Sequence, residues 1–230
     1  MYQAVIIVGE GWEELAAALS RAYARERIYV IGLTNSGKTT LCRYLIDAIP
    51  QRVRAYVDCD TGQSTVGPPT TEGMIFYPAS PELPGRPHLR FVGSTSPGGH
   101  FLQTLTGAKR LVEKAVELGA GATIIDSPGL VSGGVGTEFQ IQMIDLLRPT
   151  RIVAIQRGWE LEPLLANFAR HPAITIHHLP VSPAAVVRTA TERRHYREER
   201  FSAYFADARS REVSLRGIGL QGHIPDLKNP

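Results

Sequence analysis

The sequence Tyr29-Val-Ile-Gly-Leu-Thr-Asn-Ser-Gly-Lys-Thr-Thr carries GxxxxGKT at Gly32–Thr39. Glycines at these positions let backbone N–H groups turn inward around a phosphate, a lysine there reaches the β- and γ-phosphates, and the following hydroxyl is a magnesium ligand. The expected nucleotide contacts are Gly32, Thr34, Asn35, Ser36, Gly37, Lys38, Thr39 and Thr40, with Thr39 toward Mg²⁺. Downstream runs Arg54-Ala-Tyr-Val-Asp-Cys-Asp-Thr-Gly-Gln-Ser. Alternate residues of a strand share a face, so Asp58 and Asp60 point one way and Cys59 the other, with Val57 and Ala55. A carboxylate at such a strand end can hold Mg²⁺ through water or take the proton of an attacking hydroxyl. Asp-Thr-Gly is also a turn signal, which would give Asp60 a purely local job. Thr123-Ile-Ile-Asp-Ser-Pro-Gly-Leu places Asp126 after an apolar run, in the manner of a Walker B carboxylate that supports Mg²⁺.

Near the end, Arg188-Thr-Ala-Thr-Glu-Arg-Arg-His-Tyr-Arg-Glu-Glu-Arg-Phe brings Arg193, Arg197 and Arg200 within an arc of about 60° on one helix face. Three aligned guanidiniums suit closure over a triphosphate. The same stretch suits a solvated helix paired through Glu192, Glu198 and Glu199. Phe201, Tyr204 and Phe205 are expected to anchor its C-terminal end.

These groups need a scaffold. Apolar runs predict strands at Arg27–Leu33, Arg54–Asp60, Met74–Tyr77, Leu89–Val92, Ala122–Asp126, Arg151–Ile155 and Ala173–His177. Helical patterns fall at Trp12–Ala24, Lys38–Ala48, Phe101–Leu118, Glu138–Leu147, Glu160–Phe168 and Glu192–Ala206. Such alternation predicts an α/β fold with a mostly parallel sheet, helices on both faces, and ligands beyond the carboxyl ends of the strands. Pro78–His88 reads as a loop, and Gly133-Gly-Val-Gly as a flexible loop rather than a second phosphate site.

The 230 residues fit one domain with a substantial core. The net charge of +3 only hints at an anionic partner. Of 25 basic residues four are lysine (Lys38, Lys109, Lys114, Lys228), and arginine suits bidentate phosphate contacts. Cys42 and Cys59 make neither a disulfide framework nor a zinc site. The seven histidines show no ligand spacing. No apolar run reaches membrane-span length, and the N-terminal flank is unlike a secretory signal, so a cytoplasmic protein is expected. A GTPase of the switch type needs Asn-Lys-x-Asp, and none of Asn35, Asn167 and Asn229 begins one.

In this order the motifs resemble the P-loop polynucleotide 5′-hydroxyl kinases, the family of the mRNA 3′-end cleavage-complex kinase subunit and the ribosomal-RNA maturation kinases. Gly32–Thr39 is similar to the family's Walker A, Asp58-Cys-Asp-Thr-Gly-Gln-Ser to its DxDxGQ segment, and Phe91-Val-Gly-Ser-Thr-Ser-Pro to its FGSTSP-like segment. Asp126–Leu130 falls at its clasp, usually Thr-x-Gly-Trp, and Arg188–Phe205 resembles its lid. The resemblance implies a P-loop kinase domain over residues 1–207, with a lid at about 183–207 and a short extension at 208–230. It implies transfer of the ATP γ-phosphate to the 5′-hydroxyl of single-stranded or end-exposed RNA or DNA. Lys38, Asp58, Arg193 and Arg197 then take the catalytic roles, Asp58 as base. Thr39, Asp58, Gln63 and Asp126 fall on the Mg²⁺ side, partly through water. Two residues depart from the pattern: Leu130 stands at the clasp tryptophan, which is expected to stack on a substrate base, and Asn35 where relatives often have Asp. For base stacking in place of Leu130, Tyr77, Phe101 and Trp159 are the alternatives. The alternative function is an ATP-binding scaffold without kinase activity, and a third reading is a small-molecule kinase.

Overall fold

The structure, a computed structural model, describes residues 6–21, 25–49, 53–77, 86–212, 214 and 216–217. In chain order the elements are α1 (Trp12–Arg21), β1 (Glu26–Gly32), α2 (Lys38–Ala48), β2 (Arg54–Asp58), β3 (Thr71–Tyr77), β4 (His88–Phe91), α3 (Phe101–Glu117), β5 (Ala122–Asp126), α4 (Gly133–Leu147), β6 (Arg151–Gln156), α5 (Glu162–Leu165), β7 (Thr175–Pro180) and α6 (Ala190–Tyr204). Residues 78–85 of the expected loop, the end of the first expected helix, and most of 208–230 lie outside the described residues.

Seven strands form one sheet in the order β4-β3-β2-β5-β1-β6-β7. The five strands from β2 to β7 in that order pair in parallel, and β3 runs antiparallel to both β2 and β4. The sheet is mostly parallel, as expected, and β3 is the exception for a topological reason. Residues 59–70 between β2 and β3 contain no helix, so the chain reverses instead of crossing over. β4 turns back again, so its end lies at the same sheet edge as the ends of β2 and β5.

The sheet is covered on both sides, as parallel sheets require. Trp12, Leu15 and Leu19 of α1 join Leu41, Leu45 and Ile46 of α2 over one face, against Ile28, Val30 and Ile124. Leu111, Val112, Phe139, Met143 and Leu164 cover the other, against Tyr29, Ile31, Val57 and Ile125. β2 and β5 are buried throughout. That burial holds their carboxyl ends rigidly side by side, with Asp58 in register with Asp126.

Three expectations are corrected. The Gly133-Gly-Val-Gly run is the first turn of α4 rather than a loop. Glycine's poor helix propensity hid it, but Gly136 packs so closely on Val131 that a Cβ would lie 3.1 Å from its carbonyl carbon. α6 starts two residues before its expected start, because Thr189 and Glu192 form a capping box. Tyr204 and Phe205 do not anchor α6: both are 56% exposed and pack on one another edge to face.

Glu72 is fully buried, and neither carboxylate oxygen has a hydrogen-bond partner among the described residues. Gly107 makes its space, since a Cβ there would lie 2.1 Å from Oε2. Burial, with the Asp58 charge added, pushes the Glu72 carboxyl up to about 9. A carboxyl raised on folding stabilises fully below its unfolded value and loses that contribution as pH rises through the folded one. Stability is therefore expected to fall between about pH 4.5 and pH 9. Glu72→Gln replaces the titrating group at constant shape, and at about 1.4 kcal/mol per pH unit it should raise Tm at pH 8 by roughly 10–20 °C. Thermal melts across this range check it; an equal pH slope in both proteins rejects the assignment.

Candidate nucleotide-binding and phosphotransfer site

The loop between β1 and α2 is shaped by residues with left-handed backbone, Asn35 at φ 63° and Gly37 at φ 92°. Successive amides in such a turn converge into an anion-binding nest, and α2 adds the positive end of its dipole. Gly32 allows β6 to lie close: a Cβ would sit 2.7 Å from the Ile155 carbonyl oxygen. Gly129 does the same for the loop after β5, where a Cβ would meet Thr34 Oγ1 at 2.4 Å. Lys38 is buried and donates to the Gly32 and Leu33 carbonyls, 3.0 Å each. An ammonium has three donors, so one remains for a phosphate oxygen.

Thr39, the next residue of α2, donates its hydroxyl to Asp126 Oδ2 at 2.6 Å. Tyr56 donates to the same oxygen at 3.0 Å. Asp126 Oδ1 is buried and has no partner among the described residues. A buried carboxylate oxygen beside a threonine hydroxyl is the hard oxygen set that Mg²⁺ takes together with phosphate and water. Among the described residues no three His, Cys, Asp or Glu side chains form a protein-only metal cage. The residues fit a magnesium that arrives with a nucleotide.

Asp58 is the next carboxylate along the sheet edge. Its Oδ1 accepts from the Asp60 amide at 3.0 Å. Its Oδ2 accepts from the Thr65 amide at 2.6 Å, the Thr65 hydroxyl at 2.9 Å and the Val66 amide at 3.1 Å. Burial raises its carboxyl, the Asp126 charge raises it further, and the Thr65 bonds pull it back, leaving it at about 7. Asp126 is raised too, first by burial and against the pull of Lys38. Two buried carboxylates this close do not readily carry full charge together. Asp60 does turn work: its Oδ1 accepts from the Gly62 and Gln63 amides at 2.9 and 3.0 Å.

The arginine helix, α6, lies over this edge. Its half-buried residues are Arg193, Tyr196, Arg197, Arg200 and Phe201, the first four spaced as one helix face. Tyr196 donates to the Ser64 carbonyl at 2.8 Å, and Arg200 to those of Thr65 and Gly67 at 3.3 and 2.7 Å. Arg200 is thus a strut onto the loop that holds Asp58, tied to its carbonyls rather than free to close over a phosphate. Arg193 donates to the Arg188 carbonyl at 2.8 Å, and the Arg197 side chain makes no hydrogen bond or ion pair among the described residues. Gln63, expected on the metal side, accepts from Arg188 at 3.2 Å.

Sequence reasoning passed over Tyr56, Thr65, Tyr196 and Gln140. Tyr56 was within reach, two positions before Asp58 on the same strand face. Gln140 is fully buried, accepts from Tyr29 at 2.6 Å and donates to the Pro128 and Leu130 carbonyls, fixing the loop after β5. Nothing local in the sequence marks a helix glutamine for that task.

Fold and site together define a P-loop nucleotide-binding domain. The chain belongs to the mRNA cleavage and polyadenylation factor CLP1 P-loop family, whose model matches residues 32–207. It is 33% identical over 202 residues to a polyribonucleotide 5′-hydroxyl-kinase of Pyrococcus furiosus, covering 85% of this chain and 55% of the relative. It is 27% identical over 200 residues to the polyribonucleotide 5′-hydroxyl-kinase Clp1 of Bos taurus, covering 78% and 45%. The chain thus spans about half the length of the relatives it matches. A solved complex of Clp1p with Pcf11p shares the fold, with a TM-score of 0.68 at 13% identity over 84% of this chain and 52% of that one. Among the described residues no helix is long and apolar enough to cross a membrane.

Proposed function

We propose that this domain transfers the γ-phosphate of ATP to the 5′-hydroxyl of a polynucleotide, RNA first among candidates. The observation that carries the reading is the Asp58–Asp126 pair at one sheet edge, beside Lys38 and Thr39. One carboxylate bonds to the magnesium-type hydroxyl, and its neighbour, raised to about 7, is suited to accept a proton near neutrality. The names of the relatives support the same reaction.

In this reading Gly32–Thr40 cradle the phosphates, and Lys38 neutralises the outer ones. Thr39 and, through water, Asp126 would hold Mg²⁺, which supplies charge neutralisation on the β- and γ-phosphates. Asp58 takes the proton of the 5′-hydroxyl as that oxygen attacks phosphorus and the ADP oxygen leaves. Such a transfer depends on alignment and charge neutralisation more than on covalent help. Residues 183–207 serve as the lid, with Arg193 and Arg197 over the transferring group. The donor nucleoside extends away from the carboxylates, toward a cleft of about 390 Å³ at the ends of β6 and β7, lined by Gln156, Arg157 and residues 180–183.

The test is transfer from γ-labelled ATP to 5′-hydroxyl RNA and DNA oligonucleotides. Label is expected on the oligonucleotide with the native chain and none with Lys38→Ala. ATP binding with no label on any nucleic acid defeats the polynucleotide-kinase reading and leaves the scaffold and small-molecule-kinase ones.

A further inference from the structure

Leu130 offers no platform for a base, being half-buried against the core under α3 and α4. Nor do three other aromatics. Phe101 is stacked on Phe139 with centroids 5.0 Å apart. Tyr77 pairs with Arg54, at the end of β2 remote from Asp58. Trp159 is 81% exposed but follows β6, on the opposite side of β1 from both carboxylates.

Phe91 is different. It ends β4 and is 78% exposed, at the sheet edge where β2 ends in Asp58. It shares a strand face with Leu89, which packs against the hydrophobic cluster of the α1–α2 side that includes Tyr56, the face Asp58 also takes. In register, Asp58 faces Gly73, Gly73 faces Leu89, and Phe91 lies two residues further. Two interstrand spacings and two residues of rise put its Cα about 12 Å from that of Asp58.

The segment carrying the ring is tied to the turn after Asp58. Val92 and Gly93 amides donate to the Thr70 carbonyl, and the Thr70 amide to the Thr61 carbonyl, at 2.9, 3.1 and 2.9 Å. Gly62 meets the same segment: a Cβ there would lie 2.6 Å from the Thr95 carbonyl oxygen. The ring rests against Gly93, 3.4 Å from where its Cβ would be. Phe91 is thus a braced, open aromatic surface on the acceptor side of the carboxylates.

We propose that Phe91 stacks a base of the acceptor strand downstream of its 5′-terminal nucleotide. A base is the fitting occupant because each has an apolar π-face, and a strand entering with its 5′-hydroxyl at Asp58 must leave along the β2–β3–β4 rim if the donor fills the β6–β7 side. The inference rests on the acceptor being a polynucleotide.

The experiment compares native chain, Phe91→Ala and Phe91→Trp on a 5′-hydroxyl oligonucleotide and on a nucleoside 3′-phosphate, which has no downstream base. Phe91→Ala is expected to raise KM for the oligonucleotide about tenfold, within the range of base–aromatic stacking. Saturated kcat, KM for ATP and activity on the nucleoside 3′-phosphate stay unchanged, and Phe91→Trp restores the oligonucleotide KM. Fluorescence quenching of 2-aminopurine at the second or third position should be lost with alanine only. An unchanged KM and unchanged quenching for Phe91→Ala overturn the platform while the kinase reading stands, and equal losses on both acceptors overturn it by showing a general structural role. A native chain that phosphorylates neither acceptor brings down the underlying reading instead.

Discussion

Asp58→Asn is expected to lower kcat by about 10²–10⁴, the range of a lost general base, with the Kd for MgATP changed less than about threefold. The reason lies in which oxygens are engaged. Oδ2 of Asp58 is saturated by Thr65 and Val66, whereas Oδ1 accepts only the Asp60 amide. A carboxylate oxygen takes about two bonds, so Oδ1 keeps room for a substrate hydroxyl. The charge sets the pH dependence. Asp58 must be ionised to accept the proton, and its carboxyl is raised to about 7. Native kcat/KM should therefore fall about tenfold per pH unit below that value and level off above it. The residual activity of Asp58→Asn should lack that limb. Equilibrium binding of MgATP separates the alternative: if nucleotide affinity collapses with the substitution, Asp58 is a magnesium support and the base lies elsewhere.

The placement of Asp58 opposite Asp126 also shows where sequence is informative. The phosphate loop and the two carboxylates are chain-local: a motif of fixed spacing, or a strand whose alternation puts an acid at its tip. β1, α2 and β5 follow from period and glycine punctuation, and α2 and β5 keep their expected bounds. The residues that were not legible act across the chain. Thr65 reaches Asp58 because 59–70 folds back over its own strand. Gln140 stabilises a loop 10–12 residues earlier in sequence only because α4 packs beneath it. Arg200 looks equivalent to Arg193 and Arg197 on a helical wheel, yet the carbonyls of Thr65 and Gly67 give it a different task. A wheel orders residues by angle, not by what faces them. β7 shows the same limit in the fold: its expected span began two residues early, because Ala173 and Ile174 sit in turns after α5 and pairing with β6 begins at Thr175.

That difference among the arginines yields the other large expected effect. Arg197→Ala should lower kcat about 10³-fold, as removal of a cis arginine finger does, with KM for the oligonucleotide changed less than about threefold. Arg197 sits between two anchors, Tyr196 on Ser64 and Arg200 on Thr65 and Gly67, so its backbone is fixed over the site. Its own head carries no bond that must first be broken among the described residues. A preorganised cation of that kind is worth most when charge develops, not when substrate binds. Arg193 should show a smaller loss, since its guanidinium also braces the Arg188 carbonyl at the start of α6. Arg200→Ala has a third signature. Freeing the Thr65 carbonyl loosens the loop whose amides hold Asp58, so kcat falls through the base, and the loss should be largely non-additive with Thr65→Val. Single-turnover rates at saturating oligonucleotide separate these cases. An Arg197→Ala enzyme with native single-turnover rate and a weakened KM would make Arg197 a strand-binding residue, and would leave charge neutralisation to Lys38, Arg193 and magnesium.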